Sequence, residues 1–183
     1  SDKGVVQAAV LGRHLAGLNL KFDAVCSGEM DRQQKTALGM IEAYRENGLF
    51  VPELEIDKTF NEYDATAVWE AQVEQLLKED PKFLAPIEKD PKNNAAFQKV
   101  FSKVVTRWVS GKFDAQGDVV WKDFKQQVEG GLNALMEREG PSKRIAVFSS
   151  GGPISAAVQV AMELSDLKTI ALSWQVVNAS VTR

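Results

Sequence analysis

The chain has 183 residues, enough for one domain with a full core. Its 22 Lys and Arg stand against 25 Asp and Glu, a net charge of -3, so nothing points to nucleic acid or an acidic membrane surface as partner. The single Cys26 and the single His14 exclude an internal disulfide, a multi-cysteine metal site and a zinc site built on several histidines.

No apolar run reaches the length of a membrane span, and no signal peptide opens the chain. A lone cysteine fits a reducing compartment, so a cytoplasmic protein is expected. The composition leaves an oligomer open.

The first predicted element is a helix capped by Ser1 or Asp2, with Val6, Ala9, Val10, Leu11 and Leu18 as its apolar stripe. Gly17 and Asn19 mark its end. Phe22 to Cys26 reads as a short strand closed by Ser27 and Gly28. A helix begins near Asp31, with Ala37, Leu38 and Ile41 toward the core. Gly48 to Phe60 is loop-like, with an extended piece at Leu54 to Ile56. Asn61-Glu62-Tyr63-Asp64 precedes a helix running to about Lys78, and Asp64 is its expected N-cap. One or two helical turns around Phe83, Leu84 and Ile87 follow.

Asn94 to Val109 has apolar residues at helical spacing. Gly111 to Gly117 is a loop, and Trp121 to Arg138 is a long helix stopped by Gly140-Pro141. Residues 64–139 thus form a helical insertion within a single domain of residues 1–183. Trp69, Trp108 and Trp121 are its expected packing anchors, with a substrate-facing aromatic wall as the alternative role.

Ile145 to Phe148 is an apolar run fit for a buried strand. Ser149-Ser150-Gly151-Gly152 breaks it, Pro153 suits a first helical turn, and Ile154 to Leu164 is helical in spacing. Strand, small-residue turn, helix therefore occurs twice, which argues for an α/β fold with a parallel sheet. Leu172 to Val177 fits helix or edge strand. Asn178-Ala179-Ser180 is a turn, and Val181-Thr182 reads as the start of a strand. The chain starts within a helix cap and stops at a strand start, so both ends read as cut.

The turn at Ser149 to Gly152 aims backbone N–H groups and a positive helix end outward, a setting for an anion such as phosphate; a plain strand-to-helix turn is the competing reading. Arg32 sits just past the other turn. A guanidinium there is badly placed for the helix dipole but able to grip phosphate with two parallel hydrogen bonds; an ordinary surface arginine is the competing reading. Glu62 lies between Phe60 and Tyr63, where partial desolvation raises a carboxyl pKa and suits it to proton donation; a capping or solvent-facing acid is the alternative. Asp57 and Asp64 are weaker candidates of the same kind. Ser149 and Ser150 invite a nucleophile reading, yet the only base on offer is His14, in a helix beside Arg13. Ser150 is better suited to donate a hydrogen bond to a bound anion.

In order and spacing these pieces resemble the histidine phosphatase, or phosphoglycerate mutase-like, superfamily. Gly4, Gln7, Ala8, Leu11 and Gly12 resemble the stretch that follows its first motif. Ser27, Gly28, Met30, Arg32, Thr36 and Ala37 match its next motif, with Lys35 where Gln is usual. Asn61-Glu62-Tyr63-Asp64 resembles the segment of its acid/base glutamate. Ile145 to Ile154 resembles the strand and turn that usually read Ser-His-Gly-Gly, and Asn178 to Arg183 resembles its last turn and strand start.

The resemblance implies a three-layer sheet flanked by helices and phosphomonoester hydrolysis without metal or cofactor, on a small phosphate ester. It assigns Arg32, Ser150 and Gly151 to phosphate and Glu62 to proton transfer. Two departures stand out. The Arg-His-Gly motif of the nucleophilic histidine would precede Ser1, and Ser150 replaces the second histidine. The resemblance also implies that the strand of that motif is central, so that the Cys26 and Val147 strands flank a gap. A non-catalytic phosphate binder of the same fold is the rival reading, and a serine hydrolase a distant third.

Overall fold

The computed structural model describes residues 1–114, 117 and 119–183. Its sheet has three parallel strands, β1 (Ala24–Ser27), β2 (Leu54–Ile56) and β3 (Ile145–Phe148), in the order β2-β1-β3. Helix α2 (Asp31–Glu46) carries the chain from β1 to β2. A 3₁₀ turn (Lys58–Phe60) and helices α3 (Ala65–Glu79), α4 (Ala85–Lys89), α5 (Asn94–Val109) and α6 (Trp121–Glu139) carry it from β2 to β3. No strand interrupts residues 64–139 among the described residues, as the spacing predicts. Residues 115 and 116 of the expected loop lie outside the described residues.

Strands β1 and β3 pair directly, Cys26 opposite Val147, so the expected gap between them does not exist. This pairing satisfies the backbone groups on the facing sides of both strands, which an intervening strand would otherwise have to supply. The edges among the described residues are the outer sides of β2 and β3, and the residues of β3 are only half-buried, whereas every residue of β1 is buried.

Helix α1 (Asp2–Gly17) is capped by the Ser1 side chain, which accepts from the Gly4 amide. Its buried face is Ala8, Leu11, Gly12, Leu15 and Ala16, turned toward α2. Val6, Val10 and Leu18 are exposed, against the expected stripe, and so is Leu38 of α2. The physical reason lies at Gly12, where an added Cβ would lie 2.8 Å from both the Gly39 carbonyl oxygen and the Met40 Cα, and 2.9 Å from the Ala43 Cβ. At this crossing the two helices approach too closely for a larger side chain, so small residues meet there, while Leu11 and Leu15 are buried with Met40 and Ile41 and the valines face outward.

The helical block has its own core. Trp108, Trp121, Phe124, Val68, Val104, Val105 and Val128 are buried there, and Tyr63, Trp69 and Phe101 pack against them. Trp108 stacks edge-on to Trp121 at 5.3 Å between ring centroids and tilts against Tyr63 at 4.8 Å. Trp108 and Trp121 are thus anchors, as expected from their spacing. Trp69 lies at the margin, stacked on Phe97 and Phe101.

After β3, α7 (Gly151–Met162) starts at the glycine pair with Pro153 in its first turn, and α8 (Asp166–Ser173) follows. Leu172 to Val177 is therefore helix end and turn, and Val181-Thr182 forms no strand. Those last residues lie beyond α8, with no described strand beside them to pair with.

Candidate active site

The two strand-turn-helix units place their turns side by side at the carboxyl ends of β1 and β3. In open α/β sheets this is where ligands bind. Ser27 lies opposite Phe148 in the ladder, and the Gly28 amide donates to the Phe148 carbonyl at 3.3 Å, which carries the pairing into the turns. The segment from Asp57 to Tyr63 crosses both turns. It is held at one end by the Asp57 amide donating to the Ser27 carbonyl at 2.8 Å.

The Phe60 carbonyl is the shared fastening. It accepts from Gln33 Nε2 at 3.0 Å and from the Ser149 hydroxyl at 2.7 Å, one donor from each turn. Asn61 adds a second tie, accepting from the Glu29 amide at 2.7 Å and donating to the Glu29 carboxylate at 3.0 Å. Glu62 is thereby delivered over the start of α7.

There the Gly152 amide donates to Glu62 Oε2 at 3.1 Å, and the Tyr63 amide to Oε1 at 3.3 Å. A Cβ on Gly152 would collide with Glu62 Oε1, so only glycine admits the carboxyl to this place. Burial pushes the Glu62 carboxyl above its ordinary pKa, against the opposing pull of the two amides and of the Arg32 charge. Burial likewise raises the Tyr63 phenol.

Arg32 extends from the first turn of α2 and donates through Nε to Ser150 Oγ at 3.2 Å. Its terminal nitrogens have no hydrogen bond among the described residues, which leaves a pair of N–H groups for an anion. Ser150 is the N-cap of α7, without a capping bond from its own side chain. The Gly151 N–H is the first of α7 and, as at any helix start, has no partner within the helix. Arg32, Ser150, Gly151 and Glu62 are therefore brought together from three separate stretches of chain.

His14 is not among them. It lies exposed in the last turn of α1. Among the described residues neither Ser149 nor Ser150 bonds an imidazole. The Ser149 hydroxyl is spent on a carbonyl, which removes the support for a serine nucleophile. Asp57 caps the 3₁₀ turn and Asp64 caps α3, accepting from the Thr66 and Ala67 amides. Both are structural acids.

Sequence reasoning missed Gln33, Asn61 and the Phe60 carbonyl. A signal existed only for Gln33, a polar residue at the third helical position, where an amide or acid side chain reaches back to the N-cap amide. The site is an open crevice. Hollows of about 440 Å³ beside Arg107 and Phe113, and of about 210 Å³ beside Leu20 and Phe50, lie elsewhere.

The fold and the paired turns define an α/β scaffold with two helix starts side by side at the strand ends. The chain belongs to the histidine phosphatase superfamily, branch 1, whose family model matches residues 1–183. Its general class is accordingly that of a phosphatase-type hydrolase. No curated protein sequence matches it.

Among solved structures it is similar to phosphoglycerate mutase from Bacillus anthracis, with 17% identity, a TM-score of 0.53, and 87% of this chain and 67% of that one covered. It is also similar to a mycobacterial glucosyl-3-phosphoglycerate phosphatase, with 16% identity, a TM-score of 0.57, and 93% and 71% covered. A third is the alpha-ribazole phosphatase from Shigella flexneri, with 16% identity, a TM-score of 0.52, and 92% and 70% covered. At these identities the likeness is one of fold.

No described helix is long and apolar enough to cross a membrane.

Proposed function

We propose that this chain is the phosphate-gripping and proton-donating part of a phosphomonoester hydrolase whose attacking histidine is carried upstream of Ser1. The observation that carries the reading is the meeting of Arg32, Ser150 and the Glu62 carboxyl at one helix start.

In this mechanism the upstream histidine attacks phosphorus, and the bond to the leaving oxygen breaks. Arg32, Ser150 and the Gly151 N–H meet the charge on the equatorial oxygens. Glu62, whose carboxyl burial raises above its ordinary pKa, gives its proton to the leaving oxygen. Water then cleaves the phosphohistidine and releases phosphate. The outer edge of β3 is free to take a further strand, which is where a segment bearing that histidine fits.

Residues 1–183 act as one domain, with the helical insertion choosing a small phosphate ester as substrate. A cytoplasmic setting accords with the single, buried Cys26 thiol. The non-catalytic rival draws on Ser150, which cannot supply an imidazolium charge.

The test is phosphate release from an aryl phosphate. A chain extended upstream through an Arg-His-Gly motif is expected to turn over, and the 183-residue chain to show none, with His14→Ala as control. Turnover by the short chain that disappears in His14→Ala would sink the assignment of roles. An extended chain that folds, binds phosphate and never turns over would establish the binder.

A further inference from the structure

Gln33 is 1% exposed, and its amide is spoken for. Nε2 donates to the Phe60 carbonyl and, at 3.0 Å, to Ser150 Oγ, while Oε1 accepts from the Met30 amide at 3.3 Å. The orientation of the amide follows from these partners. Turning it over would set a donor against the Met30 N–H and an acceptor against the Phe60 carbonyl, two mismatches in a buried place. Gly28 adds a steric limit, since a Cβ there would collide with Gln33 Oε1.

Ser150 Oγ consequently receives two hydrogen bonds, from Gln33 Nε2 and from Arg32 Nε. Neither nitrogen can act as an acceptor, and a hydroxyl has two acceptor sites and one proton. Both acceptor sites are filled, so the remaining proton turns away from Gln33 and Arg32.

We infer that Gln33 is a positioning residue that, with Arg32, fixes the Ser150 hydroxyl as a one-way hydrogen-bond donor to a phosphoryl oxygen. This rests on the phosphate-site reading above. The arrangement gives a neutral serine a defined donor direction at the position where the resembled motif has a histidine. It also denies Ser150 the inward-pointing proton that a general base would have to remove.

The test is calorimetric titration of the 183-residue chain with inorganic phosphate, with folding of each variant checked by circular dichroism. Ser150→Ala is expected to weaken binding about tenfold or more, as for loss of a hydrogen bond to a charged group. Gln33→Glu replaces the donor by an acceptor, draws the serine proton inward, and is expected to weaken binding to a similar degree. Gln33→Met removes the donor without adding charge and serves if the carboxylate variant does not fold. In the Ser150→Ala background the neutral change Gln33→Met is expected to cost nothing further, while Gln33→Glu keeps only the repulsion between its charge and phosphate.

Equal losses from Gln33→Met in both backgrounds would overturn the inference, because a general structural role adds where a positioning role does not. Unchanged affinity in Ser150→Ala would overturn it without any Gln33 variant. If the native chain fails to bind phosphate, or Arg32→Ala leaves its affinity unchanged, the phosphate-site reading itself falls and the inference with it.

Discussion

The sheet side of the molecule and the helical block are packed by opposite means. Where α1 crosses α2, and around the turns, the tightest contacts are made by glycine, alanine and backbone, Ala8 and Gly12 against Gly39 and Ala43 and Gly152 against Glu62, beside a cluster of Leu11, Leu15, Met40, Ile41 and Tyr44. In the block, contact is made by rings, with Trp108, Trp121, Phe124 and Tyr63 in mutual touch. Backbone-to-backbone contact leaves little slack for an added atom. Ring packing fills volume and leaves a helix free to adjust. One side is broken by adding a methyl group and the other by removing a side chain.

Trp108→Ala tests the block and has the largest expected effect. The ring is fully buried, and its Nε1 donates to the Val119 carbonyl at 2.5 Å. Truncation leaves a cavity and an unpaired carbonyl, with an expected loss of about 3–5 kcal/mol of stability in urea unfolding. Folded protein at low temperature is expected to keep its phosphate affinity, since no phosphate-facing group touches Trp108. A large loss of affinity in the folded variant would show that the two regions are not separable.

Gly12→Ala tests the other side by addition. The new methyl meets backbone atoms that cannot swing away, so a loss of about 1–3 kcal/mol is expected from overpacking. The same substitution at Gly130, where a Cβ meets nothing within 4 Å, is expected to be neutral or slightly stabilising. Equal stability for both variants in thermal unfolding would contradict the close-packing account.

Glu62→Gln gives the smallest stability change and the clearest sign. The native carboxyl sits above its ordinary pKa of 4.5, so the folded state binds protons more readily than the unfolded chain. Stability from this group therefore falls as pH rises from the ordinary value through the raised native one, and the penalty is full above it. The variant is expected to melt higher than the native chain at neutral pH and alike at pH 3. A variant that melts lower at neutral pH, with the gap closing in acid, would reverse the assignment of burial as the dominant cause. Turnover in the extended chain is expected to lose its alkaline decline along with most of its rate.

Much of the architecture is written in local pattern. The two runs ending in Ser-Gly and Ser-Ser-Gly-Gly each specify strand, turn and helix within a dozen residues, and their parallel pairing follows from the crossovers between them. Arg32 and Ser150 meet because both begin helices after paired strands. What escaped the sequence depends on distance across the fold. The outward valines of α1 are decided by how closely α2 approaches, which apolar spacing does not encode. The direct pairing of β1 with β3 depends on strand order, which equal apolar runs leave undetermined. Gln33 looked like one polar residue in a polar helix start, and its meaning appears only once Phe60 and Ser150 stand beside it.

The fastening at Phe60 has a consequence for reading mutational records. One of the bonds that join the two turns ends on a carbonyl oxygen, and every amino acid carries one. The side chain at position 60 can drift under the demands of the apolar cluster around it, where it packs near Cys26 and Leu135, while the bond to Gln33 and Ser149 persists unchanged. Variation at this position would therefore under-report how strongly the backbone there is held. The constraint would surface instead as a correlation between positions 33 and 149, whose side chains share one acceptor.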